Sequence, residues 1–310
     1  MRRAGIYPNL DKPGALEVTG RLVKWLEDRS VGVLLPQEVA LLLGRPELGG
    51  EVPAWAKEAE FLIVLGGDGT LLQAARAVAQ AETPILGVNL GHLGFLTEVE
   101  VPQLWEVLPR ILAGDFEVEE RMMLETRVLR SGREEARFLA LNEVVVSKGV
   151  FARLIQLELL VGGRPVEEYW SDGLIIATPT GSTAYSLSAG GPIVSPQLEV
   201  LIITPICPHT LYSRSLVISQ REQVRVRVWA NHRELALTID GQRGYRLEPG
   251  DELEVSKASE TARLIRQRGW SFYEVLRRKL KEGPKGDVGE QEMTKKRRSN
   301  SRTGWGGREA

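Results

Sequence analysis

The pentapeptide Gly66-Gly67-Asp68-Gly69-Thr70 stands between an unbroken apolar run, Phe61 to Leu65, and an Ala- and Leu-rich stretch, Leu71 to Ala79. Two uses compete for such a segment. Glycine permits the positive φ of a tight strand-to-helix turn, with Asp or Thr capping the helix. Glycines also let a phosphate approach bare backbone N–H groups at a helix N-terminus, where the dipole favours negative charge. A carboxylate among phosphates is repelled unless it has a task, and two tasks suit Asp68: accepting the proton of an attacking hydroxyl, or holding Mg²⁺ through water. The segment is not a P-loop, since no Gly-Lys-Ser/Thr follows, nor the dinucleotide fingerprint, whose third glycine is missing.

A second concentration runs from Ser171 to Pro192, where an apolar strand leads into hydroxyl side chains at positions 178, 180, 182, 183, 185, 186 and 188 among small residues. Such a surface suits a polyhydroxylated, phosphorylated ligand, and a Ser/Thr-rich loop with a capped helix is the plainer alternative. Asn142-Glu143 interrupts the apolar run Phe138 to Val146. A buried amide and carboxylate need hydrogen-bond partners, which a ribose with two hydroxyls or the protein itself can supply. Asp240-Gly241-Gln242 ends an alternating strand and reads first as a hairpin turn, second as a ligand contact.

The elements that must position these residues fall into two textures. Val31–Leu35, Phe61–Leu65 and Ile85–Leu90 are short apolar runs alternating with helical patterns, which predicts a parallel α/β sheet, and Val101–Leu112 predicts a helix between Pro102 and Gly114. From Phe116 the period becomes two, as in Glu125–Leu129, Arg153–Val161, Gln223–Val228 and Leu235–Ile239, and turn signals such as Gly162-Gly163 separate the runs. The prediction is an α/β domain followed by a mostly β one. Phe272, Val275, Leu276 and Leu280 then mark a last helix, with cations in its final turn. The segment 282–310 is Gly-, Ser- and charge-rich and reads as a disordered basic tail.

Composition narrows the function classes. Forty Lys and Arg against 41 Asp and Glu, a formal charge of −1, give no footprint for nucleic acid or an anionic membrane. One cysteine, Cys207, and three histidines argue against a disulfide framework or a Cys/His metal site, and a reducing compartment fits. With no signal-peptide pattern and no apolar stretch of membrane-spanning length, a cytoplasmic protein is expected.

Together these residues closely resemble the NAD kinase family. The likeness rests on Gly66–Thr70, Asn89-Leu90-Gly91-His92-Leu93-Gly94-Phe95-Leu96, Asn142-Glu143, Ser171–Pro192, Pro205-Ile206-Cys207-Pro208-His209-Thr210-Leu211 and Asp240-Gly241-Gln242, in the family's order and over most of the chain. The resemblance implies a Rossmann-like donor domain (1–114), a layered β-sheet NAD-binding domain (115–266) and a helix (267–281) returning to the first. It implies transfer of a phosphoryl group from ATP, or in some bacterial members polyphosphate, to the 2′-hydroxyl of the adenosine ribose of NAD, giving NADP. Mg²⁺ or another divalent metal would accompany ATP. Asp68 would be the general base, while Gly67 and Gly69 cradle donor phosphates.

By the same resemblance, Asn142 and Glu143 bind the substrate nucleotide and Asp172 lies near the nicotinamide-side ribose or amide. Thr183, Ala184, Tyr185 and Ser188, with Ser186 and Leu187 between them, match the segment that wraps adenine and its ribose. Part of that segment comes from a neighbouring subunit in family oligomers, which implies a homo-oligomer, dimer or tetramer. Arg153 and Gln242 align with further substrate contacts. Two positions depart from the pattern: Cys207 stands where many members have alanine, and Trp170 where some carry a basic residue. The rivals are a lipid- or sugar-type kinase sharing the Gly-Gly-Asp-Gly loop and a non-catalytic NAD(P)-binding sensor.

Overall fold

A computed structural model describes residues 2–91, 94–149, 153–210, 212–232 and 234–282. Residues Met1–Trp270 form one compact unit, and the helix Phe272–Glu282 belongs to a second, Ser271–Ala310. Of the segment read as a disordered tail, all but Glu282 lies outside the described residues, as do His92, Leu93 and Leu211 of the family motifs.

The fold is mixed α/β, parallel at its N-terminal side and antiparallel beyond. Five parallel strands, Arg3–Pro8, Gly32–Pro36, Gly49–Gly50, Phe61–Gly66 and Ile85–Asn89, lie in the spatial order third, second, first, fourth, fifth. Phe61–Gly66 is buried along its whole length, as its unbroken apolar sequence requires of a strand covered on both faces. The order reverses between the first and fourth strands, and an open α/β sheet binds ligands in the crevice beyond the carboxyl ends at such a reversal. Here those ends are Pro8 and Gly66, so the topology itself brings the glycine pentapeptide to the crevice. The helix after it is Asp68–Val78, and the helix Val101–Leu112 is closed at its start by reciprocal Glu100 and Gln103 contacts that cap its free N–H groups.

The two sequence textures share hydrogen bonds. The long strand Glu252–Arg266 runs antiparallel to Glu117–Arg130, and its Leu264 pairs in parallel with Ile85, so one twelve-stranded sheet passes through both halves. A second, six-stranded antiparallel sheet runs in the order Leu216–Ser219, Val200–Ile206, Gly173–Ala177, Glu143–Lys148, Leu235–Ile239, Arg243–Leu247. Its inward residues, including Val144, Ile176, Ile203 and Leu237, pack on Leu157, Val226, Leu253 and Val255 of the large sheet in one dry core. The apolar run Phe138–Val146 is broken where the chain leaves the large sheet at Ala140 and enters the small one at Glu143. Leu141 and Asn142 are the crossing point, and their backbone groups must find partners outside either ladder.

Candidate active site

Glycine at the pentapeptide is needed for space rather than for left-handed backbone. Gly66, Gly67 and Gly69 do not have positive φ, and the cap Gly67 is extended at φ −118°. A Cβ on Gly66 would run into the Thr70 side chain, whereas nothing lies within 4 Å of a Cβ on Gly67. The backbone beside Gly67 therefore faces open space. That space is a cleft of about 580 Å³ at the sheet reversal, lined by Tyr7, Asn9, Asp11, Lys12 and Glu38 together with Gly67, Gly69 and Thr70. Its residues following the first strand carry no glycine signature, so sequence reasoning missed them; their place after the strand adjoining Phe61–Gly66 was the available clue.

Asp68, half-buried in the first turn of its helix, turns its carboxylate to the backbone of Phe95–Thr97. Oδ2 accepts the Phe95 N–H at 2.7 Å; Oδ1 accepts those of Leu96 and Thr97 at 3.0 and 3.1 Å, and lies 3.3 Å from the Thr97 hydroxyl. A carboxylate has about four lone-pair sites, so Oδ2, with one donor, keeps room for another. Gly94 makes this cradle possible, since a Cβ there would collide with the Asp68 carboxylate. Gly94→Ala is expected to displace the carboxylate and lower kcat by at least about 10-fold, with thermal stability the control; an unchanged kcat would show that the cradle is not needed.

Asn142 and Glu143 sit at the sheet crossing with Asn142 Oδ1 and Glu143 Oε2 buried and without hydrogen-bond partners. Two orphaned oxygens on adjacent residues are costly unless a ligand satisfies them. Burial first, and then the neighbouring Asp240 charge, push the Glu143 carboxyl up to about 8, against a Tyr185 backbone hydrogen bond that lowers it. A carboxyl protonated at neutral pH can donate to a ligand oxygen as well as accept.

The sign of the resulting pH dependence is fixed. Between the ordinary carboxyl value and about 8 the folded chain holds a proton that the unfolded chain has lost, so stability falls as pH rises through that window. Glu143→Gln is expected to flatten the slope of thermal midpoint against pH between about 5 and 8. An identical slope in wild type and variant would remove Glu143 as its source.

The backbone of this crossing is held by Asp240, whose carboxylate accepts the N–H groups of Leu141, Asn142 and Glu143 at 3.2, 2.7 and 3.2 Å. Asp240 and Gly241 have φ of 49° and 64°, and the Gln242 N–H donates to the Ile239 carbonyl at 2.9 Å, which defines a type I′ hairpin turn. The turn also reaches the glycine pentapeptide. The Gln242 amide donates to the Gly69 carbonyl at 2.7 Å, and Arg76 donates to both Asp240 and Gln242, the latter at 2.7 Å. Arg76, an isolated cation in an Ala-rich helix, and the carboxylate of Asp240 were not singled out as partners from sequence; they tie the pentapeptide to the Asn142–Glu143 crossing.

Beyond the strand Gly173–Ala177 the hydroxyl-rich segment divides its labour. Thr178 donates to the Leu141 carbonyl at 2.6 Å, Ser182 to Pro179 at 2.6 Å, and Ser186 lies 3.1 Å from Thr204, all buried. Of the residues expected to touch nucleotide, Ser186 therefore spends its hydroxyl inside the protein, and Leu187 and Ala184 are half-buried. Thr183 is half-buried, while Tyr185 and Ser188 face solvent. The Gly181 backbone lies against Asn142, where a Cβ would collide with the Asn142 backbone, so the segment is registered on the crossing.

Asp172 pairs with Lys148 at 2.6 Å, and Cys207, exposed with φ 46°, lies on the loop whose His209 N–H donates to the Trp170 carbonyl at 2.8 Å. Trp170 and Arg153 are exposed. The polar bonds thus link Gly69 through Gln242, Arg76 and Asp240 to the backbone of Leu141–Glu143, and that crossing to Thr178, while Asp68 stands next to Gly69 in the chain with its carboxylate bonded to Phe95–Thr97. No such bond ties Arg153 to that group among the described residues.

The chain matches two protein families: the ATP-NAD kinase N-terminal domain over residues 4–116 and the ATP-NAD kinase C-terminal domain over residues 141–267. An NAD kinase of Moorella thermoacetica is 51% identical over 286 residues, covering 91% of this chain and 90% of that one. One from Heliobacterium modesticaldum is 49% identical over 284 residues, covering 91% and 100%. Among solved structures, a yeast NADH kinase complexed with NADH aligns at a TM-score of 0.83 and 25% identity, covering 94% of this chain and 90% of that one. An NAD kinase from Archaeoglobus fulgidus in complex with ATP aligns at 0.68 and 29% identity, covering 86% and 94%.

Proposed function

Since the chain belongs to the NAD kinase family and carries that family's kinase activity, we propose that Asp68 takes the proton of the adenosine 2′-hydroxyl of NAD while the switch-point cleft holds the donor phosphates. The observation that carries this assignment is the carboxylate itself. It is oriented by three backbone N–H groups, it stands in the first helical turn beside Gly67 and Gly69, and one lone pair of Oδ2 stays open. A ribose hydroxyl is too weakly acidic to attack at neutral pH without a base, and a positioned carboxylate contributes roughly 10²–10⁴-fold. Asn142 Oδ1 and Glu143 Oε2, which have no hydrogen-bond partner among the described residues, are the groups offered to the ribose and base of the acceptor.

The related structures hold NADH in the yeast enzyme and ATP in the Archaeoglobus enzyme. For this chain the same acceptor and donor fit the two halves of the site, and polyphosphate presents equivalent oxygens to the bare backbone around Gly67. A divalent ion also fits. Among the described residues there is no group of three or more metal-binding side chains, but Mg²⁺ arriving on donor phosphates needs only one or two carboxylates, and Asp11 and Glu38 line the cleft. Held by those carboxylates, such an ion would offset phosphate charge. No helix among the described residues is long and apolar enough to cross a membrane. We place the enzyme in the cytoplasm, as a homo-oligomer in which Tyr185 and Ser188 of one subunit meet nucleotide.

The direct test is NADP formation from NAD or NADH, with ATP or polyphosphate and Mg²⁺, read by an NADP-specific dehydrogenase. Turnover with ATP and NAD is expected; nucleotide binding without turnover would favour the sensor. Tyr185→Ala is expected to raise KM for NAD with kcat largely retained, the signature of lost uniform binding. An unchanged KM would take Tyr185 out of the site.

A further inference from the structure

Two arginines outside the site described above are almost fully buried. Arg121 and Arg266 have side chains only 3% and 4% exposed, a costly arrangement for two cations unless each is well partnered. Both donate to the same oxygen, Oε2 of Glu119, at 2.7 and 2.9 Å. Glu98, whose other oxygen accepts the Gln267 N–H, lies 3.6 Å from Arg266. The Trp270 ring covers both guanidinium groups, with its centroid 4.0 Å from that of Arg266 and 5.8 Å from that of Arg121.

The outward ends of this cluster touch the site at two places. Arg266 Nη1 donates to the Leu96 carbonyl at 3.0 Å, and the N–H of that same Leu96 donates to Asp68 Oδ1. Arg121 Nη1 donates at 3.2 Å to the hydroxyl of Thr180, which opens the turn leading into Tyr185–Ser188. A continuous chain of polar contacts therefore runs Asp68, Leu96, Arg266, Glu119, Arg121, Thr180. Arg266 is the last residue of the strand Glu252–Arg266 and Arg121 lies on its partner Glu117–Arg130, so a rigid ladder fixes the separation of the two ends.

We propose that Arg266 and Arg121, bridged by Glu119 and covered by Trp270, are positioning residues that set the Asp68 carboxylate relative to the nucleotide-wrapping segment. The inference rests on Asp68 as the reacting carboxylate. The two ends of the cluster then make different demands. Loss of Arg266 frees the Leu96 carbonyl, loosens the Phe95–Thr97 cradle and misplaces the base, so kcat suffers. Loss of the Arg121 contact frees Thr180, so binding of the acceptor suffers. A cluster that only stabilised the fold would lower the thermal midpoint and leave kcat and KM of the surviving folded enzyme alike.

The experiment compares full-length Arg266→Met, Arg266→Lys, Glu119→Gln and Thr180→Val with wild type, using kinetics in NAD and ATP and amide hydrogen exchange of the peptide spanning 94–97. Arg266→Met is expected to lower kcat about 10²-fold, the cost of a small misplacement of a reacting group, with KM for NAD changed less than about 2-fold. Arg266→Lys, which keeps the charge without the fork, should recover part of that loss. Thr180→Val should do the reverse, raising KM for NAD several-fold with kcat nearly unchanged. Exchange at 95–97 should quicken at least about 10-fold in Arg266→Met and not in Thr180→Val. Should Arg266→Met not fold, Glu119→Gln is expected to show both effects in milder form. Unaltered exchange at 95–97 together with wild-type kcat in a folded Arg266 or Glu119 variant would overturn the proposal. The exchange readout needs no turnover, so it stands even if wild type makes no NADP, a result that would instead remove Asp68 as the base.

Discussion

Asp68→Asn is expected to bind NAD and ATP with near wild-type affinity and to turn over roughly 10²–10⁴-fold more slowly, the range usual for loss of a general base. The substitution is nearly isosteric and keeps one acceptor for the Leu96 and Thr97 N–H groups. The amide nitrogen would face the Phe95 N–H now held by Oδ2, so one cradle contact is lost, but the backbone around Gly67 and the buried oxygens of Asn142 and Glu143 are untouched. Binding by calorimetry and steady-state kinetics separate the two quantities. Full activity in this variant would sink the assignment of Asp68, whereas loss of binding together with turnover would make it a binding residue.

The largest effect on stability is expected at Arg76. Its guanidinium pairs with Asp240, and the two side chains are 9% and 0% exposed. Burial pushes the Asp240 carboxyl up, and the Arg76 charge and the N–H groups of Leu141 and Asn142 oppose that shift. Removing one partner of a buried pair leaves an uncompensated charge and costs about 3–5 kcal/mol. For a unit of this size each kcal/mol lowers the thermal midpoint by roughly 2–4 °C, so Arg76→Met should melt about 10 °C or more below wild type. Asp240→Asn in the Arg76→Met background removes the stranded charge and is expected to recover part of the loss, a coupling that a thermodynamic cycle reads directly. Additive losses would mean that the pair does not interact. Because Arg76 also holds Gln242, whose amide is bonded to Gly69, the surviving folded variant should show a raised KM for the donor.

Much of this architecture was legible in the sequence, for reasons that differ along the chain. Phe61–Gly66 has no polar alternation and is buried on both faces; Leu235–Ile239 alternates and buries every second residue. The period of the apolar pattern is a local property, and each of these strands could be placed within a residue or two. Asp68 stood out because a carboxylate among glycines that could admit phosphates needs a task.

What the sequence hid were relations between distant residues. Positive φ was the conformational use weighed for the pentapeptide glycines, and the structure shows instead that Gly66 makes room for Thr70 and Gly94 for Asp68. Asp240 read as a hairpin residue, which it is, but its carboxylate also satisfies three backbone N–H groups almost a hundred positions earlier. Ser186 looked like one more ligand hydroxyl until its contact with Thr204 was known. Composition also divided the chain where hydrogen bonding does not, since nothing local to Leu264 announces that it pairs in parallel with Ile85.

The central claim is that the cleft at the sheet reversal and the Asn142–Glu143 crossing bring a donor phosphate and one ribose hydroxyl together at Asp68. Phosphorus NMR of the products formed by the full-length protein from NAD, ATP and Mg²⁺ tests this most directly. The expected result is ADP and a 2′-phosphomonoester of the adenosine ribose in equal amounts. ATP hydrolysis without phosphorylation of NAD, or a phosphate on any other hydroxyl, would contradict it.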